Sequence, residues 1–130
     1  VLDGVATTLP AMVRAAKLQK RAARVGFDWP DINAVCDKMN EELAELTEVM
    51  QRTPDDKARL EDEVGDILFV ASNLARKAGV DPETALMSCN RKFERRFRYI
   101  ENQLNAQESS VDDASLEQME QLWQSAKKHT

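Results

Sequence analysis

Apolar residues recur three and four positions apart along almost the whole chain, the period of helices that bury one face. The pattern predicts five helices. The first covers residues 10–25 and stops at Gly26, a residue suited to the left-handed turn that closes a helix. Its alanines, Ala15, Ala16, Ala22 and Ala23, permit close packing. The second covers 31–52, with Val35, Met39, Leu43, Leu46 and Met50 as its apolar stripe. Thr53-Pro54-Asp55-Asp56 then reads as a restart, with Thr53 as cap, Pro54 at the first helical position and two acids against the helix dipole. The third helix carries Leu60, Val64, Ile67, Leu68, Ala71, Leu74 and Ala75 and stops at Gly79. The fourth opens at Asp81-Pro82-Glu83, runs to Ala106 and is expected to bury Ala85, Leu86, Cys89, Phe93, Phe97, Ile100 and Leu104. Residues 107–114 form a polar linker. Ser115-Leu116-Glu117-Gln118 has the form of a capping box, opening a last helix with Leu116, Met119, Leu122, Trp123 and Ala126. The short connection between the second and third helices makes them antiparallel neighbours.

That pairing gives the charged positions their interest. Lys38, Glu42 and Glu45 share one face of the second helix, and Glu63 and Asp66 share one face of the third. Brought together, four carboxylates converge on one point and repel unless a cation joins them. A hard divalent ion such as Mg²⁺ takes carboxylate oxygens and removes the cost. The ordinary fate of acids on a helix is a solvated face, so the spacing alone leaves both readings open. Gly65, inside the third helix between two acids, costs about 1 kcal/mol relative to Ala and suggests a close approach to the backbone.

Composition narrows the chemistry. The 130 residues suit one domain, with 1–8 as a linker remnant, and the few glycines, prolines and aromatics favour helix throughout. A net charge of −5 argues against a surface for nucleic-acid polymers. Locally, Arg14, Lys17, Arg21 and Arg24 form a basic stripe on the first helix, either a solvated face or a contact for phosphate or a partner. Trp29 reads as a core or interface anchor. Cys36 and Cys89 form no C-x-x-C pair; they read as small core residues in a reduced, cytoplasmic setting. No segment has the length and apolarity of a membrane span or the regions of a signal peptide, and the missing initiator Met fits a fragment of a longer chain. His129, the only histidine, stands near the C-terminus, which argues against Ser-His-Asp, Cys-His and di-iron chemistry. There is no G-x-x-x-x-G-K-[ST] run, so a phosphoanhydride hydrolase built on this chain would rely on metal and side-chain cations.

Glu41-Glu42-x-x-Glu45 followed by Glu63-x-x-Asp66 resembles the EExxE…ExxD signature of the all-α nucleoside triphosphate pyrophosphohydrolases. Lys17-Leu18-Gln19-Lys20-Arg21, Gly26-Phe27-Asp28-Trp29 and Asn90-Arg91-Lys92-Phe93-Glu94-Arg95-Arg96-Phe97 are similar to runs in the C-terminal half of the MazG family, in the same order. The resemblance extends from about Leu9 to Lys127. It implies an all-α, four-helix-bundle-like domain with an additional C-terminal helix, working as a homodimer. It further implies hydrolysis of nucleoside triphosphates to monophosphate and pyrophosphate with Mg²⁺, for which Mn²⁺ could substitute. Carried over residue by residue, it assigns the metal to Glu42, Glu45, Glu63 and Asp66, with Glu41 as a general base or supporting acceptor. Lys38, Asn90, Lys92, Arg95, Arg96 and Trp123 match nucleotide-contact positions, Trp123 as a face on which a base could stack. Arg59 and Asp62 stand where relatives often carry Lys and Glu, at further substrate-contact positions. From another class, the alternative is a non-catalytic helical module of a two-domain protein that binds nucleotide or mediates assembly.

Overall fold

A computed structural model of the chain describes residues 1–129, and these fold as five helices with no strand among them: α1 (Ala11–Ala23), α2 (Ile32–Arg52), α3 (Lys57–Lys77), α4 (Pro82–Ala106) and α5 (Leu116–His129). The chain divides into two compact units, Val1–Ala85 and Leu86–Thr130.

The first unit is organised around α3, against which both α1 and α2 pack. Two long-range hydrogen bonds pin α1 to it: Gln19 Nε2 donates to the Phe69 carbonyl (3.0 Å) and Ser72 Oγ to the Met12 carbonyl (3.0 Å). Ser72 and Asn73 are themselves almost wholly buried, so this core is held by satisfied polar groups as well as by Val35, Val49 and Val70. Local chemistry sets the helix ends. Gly26, at φ +90°, closes α1 with the Gly26 N–H on Ala23 and the Phe27 N–H on Ala22. Gly79, at φ +73°, closes α3 in the same way, through bonds to Arg76 and Ala75. Both glycines take the left-handed conformation that this motif requires. Asp31 opens α2 by accepting the Ala34 N–H at 2.9 Å. The turn after α1 is fastened to the far end of α3. Asp28 binds Arg76 (2.5 Å) and Lys77 (2.9 Å), and Lys77 also donates to the Trp29 carbonyl. Trp29 is half-buried there.

The restart between α2 and α3 differs from the sequence expectation. Thr53 ends α2 instead of opening α3, its Oγ1 turning back to the Val49 carbonyl. Asp56 is the N-cap of α3, accepting the Arg59 N–H at 3.2 Å, and Pro54 lies in the turn before it. Both Thr and Asp can cap; Asp56 stands three residues before a free helical N–H, and Thr53 does not. The four-residue connection leaves α2 and α3 antiparallel, as expected.

In the second unit the capping box forms as read: Ser115 Oγ accepts the Gln118 N–H, and Gln118 Oε1 accepts the Ser115 N–H. Tyr99 and Ser125 join α4 to α5 through their hydroxyls at 2.9 Å. Among the described residues of this unit, burial is confined to Ile100, Leu104 and Ala126. The expected long seam of α4 is therefore corrected: Ala85, Leu86, Cys89 and Phe93 are exposed and Phe97 is half-buried. A helix of 14 residues cannot cover one of 25, since each residue adds only about 1.5 Å. Cys36 is exposed as well, so neither cysteine is a core residue. In the first unit, Leu43, Met50, Val64 and Leu68 of the expected stripes are also exposed, while Glu42 is buried.

Candidate active site

About two turns of α2 carry Lys38, Glu41, Glu42 and Glu45, and α3 brings Glu63 against them. Carboxylate oxygens of Glu42, Glu45 and Glu63 all lie within 4.8 Å of one another. Glu42 is 5% exposed, and Glu63 is half-buried. One oxygen of Glu42 (Oε2) and one of Glu63 (Oε2) are buried with no hydrogen-bond partner. Leaving such an acceptor unsatisfied costs about 1–3 kcal/mol, and more for a charged group. The only cation paired with this cluster among the described residues is Lys38, 3.0 Å from Glu42 Oε1 and 3.9 Å from Glu41.

The electrostatics follow from that shortage of positive charge. The Glu45 carboxyl is pushed above its ordinary range, first by the charge of Glu42, then by desolvation and by Glu63. Asp66 is also pushed up, by burial first and then by Asp62 and Glu42. The Lys38 ammonium is held above its usual value by its bond to Glu42. The donor set is all oxygen, crowded and anionic, with buried acceptors left open. It fits a hard divalent cation of the Mg²⁺ type.

Not every residue singled out from the sequence joins the cluster. Asp66, one turn along α3 from Glu63, feels the charge of Glu42 but stands outside the trio whose oxygens come within 4.8 Å. Glu41 is exposed beside Lys38. Asp62, Gly65 and Asp66, with Ala58 and Glu61, line an open groove of about 400 Å³ along α3. Gly65 corrects an expectation. A Cβ added there would meet nothing within 4 Å, so no other part of the described chain approaches the backbone, and the glycine leaves space. Arg59, in the first turn of α3, is exposed and does not line that groove.

The remaining candidates lie in the second unit. Asn90, Lys92 and Arg95 are exposed on α4. Arg96 places its guanidinium 5.6 Å from the centre of the Trp123 ring, and Phe93 packs against the same ring at 5.5 Å. Phe93 also stacks with Phe97 at 6.0 Å. Sequence reasoning assigned Phe93 to the buried seam and missed its place beside Trp123. Its position three residues before Arg96, on one helical face, was the available signal. Glu94 pairs with Arg98.

This geometry agrees with what the chain is similar to. The MazG nucleotide pyrophosphohydrolase domain matches residues 31–100, a stretch that contains every acid of the cluster. A nucleoside triphosphate pyrophosphohydrolase of Escherichia coli (strain K12) is 45% identical over 127 residues, covering 98% of this chain and 48% of that protein. The nucleoside triphosphate pyrophosphohydrolase/pyrophosphatase MazG of Thermotoga maritima is 39% identical over 119 residues, covering 92% of this chain and 45% of the relative. An uncharacterized protein, YabN, of Bacillus subtilis (strain 168) is 45% identical over 127 residues, 98% of this chain and 26% of its own length. The chain thus spans about half the length of the first relatives it matches, and less of the third. With the domain match running over more than half of its residues, and with all-helical architecture around the paired acidic helices, the chain belongs to the MazG nucleotide pyrophosphohydrolase family.

Proposed function

We propose that this chain hydrolyses nucleoside triphosphates to nucleoside monophosphate and pyrophosphate, using Mg²⁺ held by Glu42, Glu45, Glu63 and Asp66. The observation that carries this is the carboxylate trio within 4.8 Å, two of whose oxygens are buried without a partner. The names of the Escherichia coli and Thermotoga maritima relatives support the same reaction. Bound there, Mg²⁺ would offset phosphate charge and lower the pKa of a water, and Mn²⁺ could take its place. Lys38, already between Glu41 and Glu42, is available to a phosphate once a metal satisfies Glu42. Exposed Glu41 is the candidate general base, or an acceptor that orients the attacking water. Arg59 and Asp62 on α3, with Asn90, Lys92, Arg95 and Arg96 on α4, are proposed substrate contacts. The arginines suit bidentate phosphate binding, and Trp123 is proposed to meet the base.

The working unit is proposed to be a homodimer. Leu43, Met50, Val64, Leu68, Phe69, Leu86, Met87 and Phe93 are exposed on the single chain, more apolar surface than a small monomer ordinarily shows to water. The free, exposed cysteines fit a reducing compartment, the cytoplasm, and no helix among the described residues is long and apolar enough to cross a membrane.

The reaction is tested with a panel of ribo- and deoxynucleoside triphosphates and Mg²⁺, followed for monophosphate and pyrophosphate. Equimolar release of the two products is expected for at least one nucleotide. Failure with every nucleotide would return the chain to a non-catalytic binding or assembly module.

A further inference from the structure

The basic stripe of α1 is not absorbed by this chemistry. Lys17, Lys20, Arg21 and Arg24 line one cavity of about 280 Å³, closed on the other side by Gly4, Val5, Ala6 and Leu9. The segment before α1 is thus a wall of this cavity: Val5 is buried, and Arg21 donates to the Asp3 carbonyl at 2.9 Å. Among the described residues no acid lines the cavity, and none of the four cations forms an ion pair. Asp3, whose carbonyl takes the Arg21 bond, stands beside the cavity without lining it, and Asp81 borders an adjoining cavity with Lys17 and Lys20. The Asp81 carboxylate is occupied, accepting from both the hydroxyl and the N–H of Thr84. In a chain of net charge −5, four cations around an acid-free hollow is a concentration of one sign that a bound anion relieves.

We infer that this cavity is a binding site for a diphosphate anion, separate from the acidic cluster. Size and spacing select the class. From Lys17 to Arg24 the helix advances about 10 Å, more than one phosphate spans and a fit for two linked phosphates. The volume also exceeds that of a single phosphate. The guanidinium groups of Arg21 and Arg24 suit the paired oxygens of phosphate, and the lysines add point charges. The lining holds no aromatic residue, so a nucleoside attached to the diphosphate would find no stacking surface.

The test is calorimetric titration of the chain with inorganic pyrophosphate in a metal-chelated buffer at low salt, where the bare acidic cluster repels anions. Binding is expected, weakening as salt is raised. Orthophosphate should bind at least about tenfold more weakly, and adenosine diphosphate no more tightly than pyrophosphate. Lys20 and Arg24 are exposed, so the double variant K20Q/R24Q should keep its helical circular dichroism and lose at least about tenfold in affinity. Glu63→Gln should bind pyrophosphate as the wild type does, which separates this site from the metal cluster. Absence of binding up to about 10 mM, equal affinity in the double variant, or adenosine diphosphate binding tenfold tighter than pyrophosphate would each overturn the assignment.

Discussion

Lys38 Nζ lies 3.0 Å from Glu42 Oε1, and Glu42 is the most buried acid of the cluster. The ammonium therefore supplies the compensation that α2 can offer its own carboxylate across one helical turn. Removing it leaves a buried charge beside two others. We predict that Lys38→Gln lowers the metal-free stability by about 1–2 kcal/mol, discounted because Lys38 itself is a third exposed. Chemical denaturation in chelator measures this. Saturating Mg²⁺ should narrow the gap, since a divalent ion takes over part of the compensation.

A second prediction concerns pH. Burial works against the charged form of Asp28, but hydrogen bonds from Lys77 and Arg76 outweigh it and hold its carboxyl below the ordinary value of 3.8. A carboxylate whose folded pKa is depressed adds stability that is present above the unfolded pKa and lost as pH falls through the folded one. Asp28→Asn should cost about 1.5–3 kcal/mol at pH 7, the scale of charged hydrogen bonds. The wild-type and variant stabilities should converge as pH falls through the depressed folded-state pKa of Asp28. A gap that persists there would mean Asp28 acts through packing.

The helices were legible in the sequence because their signals are local: the apolar period, glycines at helix ends and the Ser115–Gln118 box, and the short connection paired α2 with α3. The paired acids followed from spacing, and three of the four expected ligands meet. What the sequence misstated was burial. Leu43, Met50, Val64 and Leu68 follow the helical period yet lie exposed, and Glu42 lies buried, because periodicity marks a face and says nothing of what covers it. Cys89 fails for the same reason on α4, where α5 is too short to reach along the whole helix, and Phe93 stays exposed although its ring meets Trp123. Gly65 was read as a sign of close approach, but the space above it is open.

Those exposed apolar side chains give the third prediction. Sedimentation equilibrium at micromolar concentration should return twice the 14.7 kDa chain mass. Leu68→Glu, which places a charge on the exposed part of α3, should shift the distribution toward monomer if that face is the interface. A wild-type sample that remains monomeric contradicts the dimer.

Trp123 supplies the fourth. Its ring is flanked by Phe93 at 5.5 Å and Arg96 at 5.6 Å, a composite surface suited to a flat base. Trp123→Ala should raise KM by about fivefold to 150-fold, corresponding to about 1–3 kcal/mol of stacking, while the Mg²⁺-induced rise in Tm stays as in the wild type. Unchanged KM in a folded variant would leave Trp123 a packing residue of the second unit.

The central claim is that the acids of α2 and α3 hold a divalent cation for hydrolysis, and Glu63→Gln addresses it most directly. The substitution keeps size and removes one charge from a trio whose oxygens lie within 4.8 Å. The measurement is thermal unfolding of wild type and variant with chelator and with Mg²⁺, alongside monophosphate release. Without metal, the variant should melt at or above the wild type, because repulsion is reduced. Mg²⁺ at a hundredfold excess over its dissociation constant should stabilise the wild type by about 2.7 kcal/mol and the variant far less, and the variant should hydrolyse almost nothing. Wild-type melting indifferent to Mg²⁺, or a Glu63→Gln protein with near-normal hydrolysis, would contradict the account.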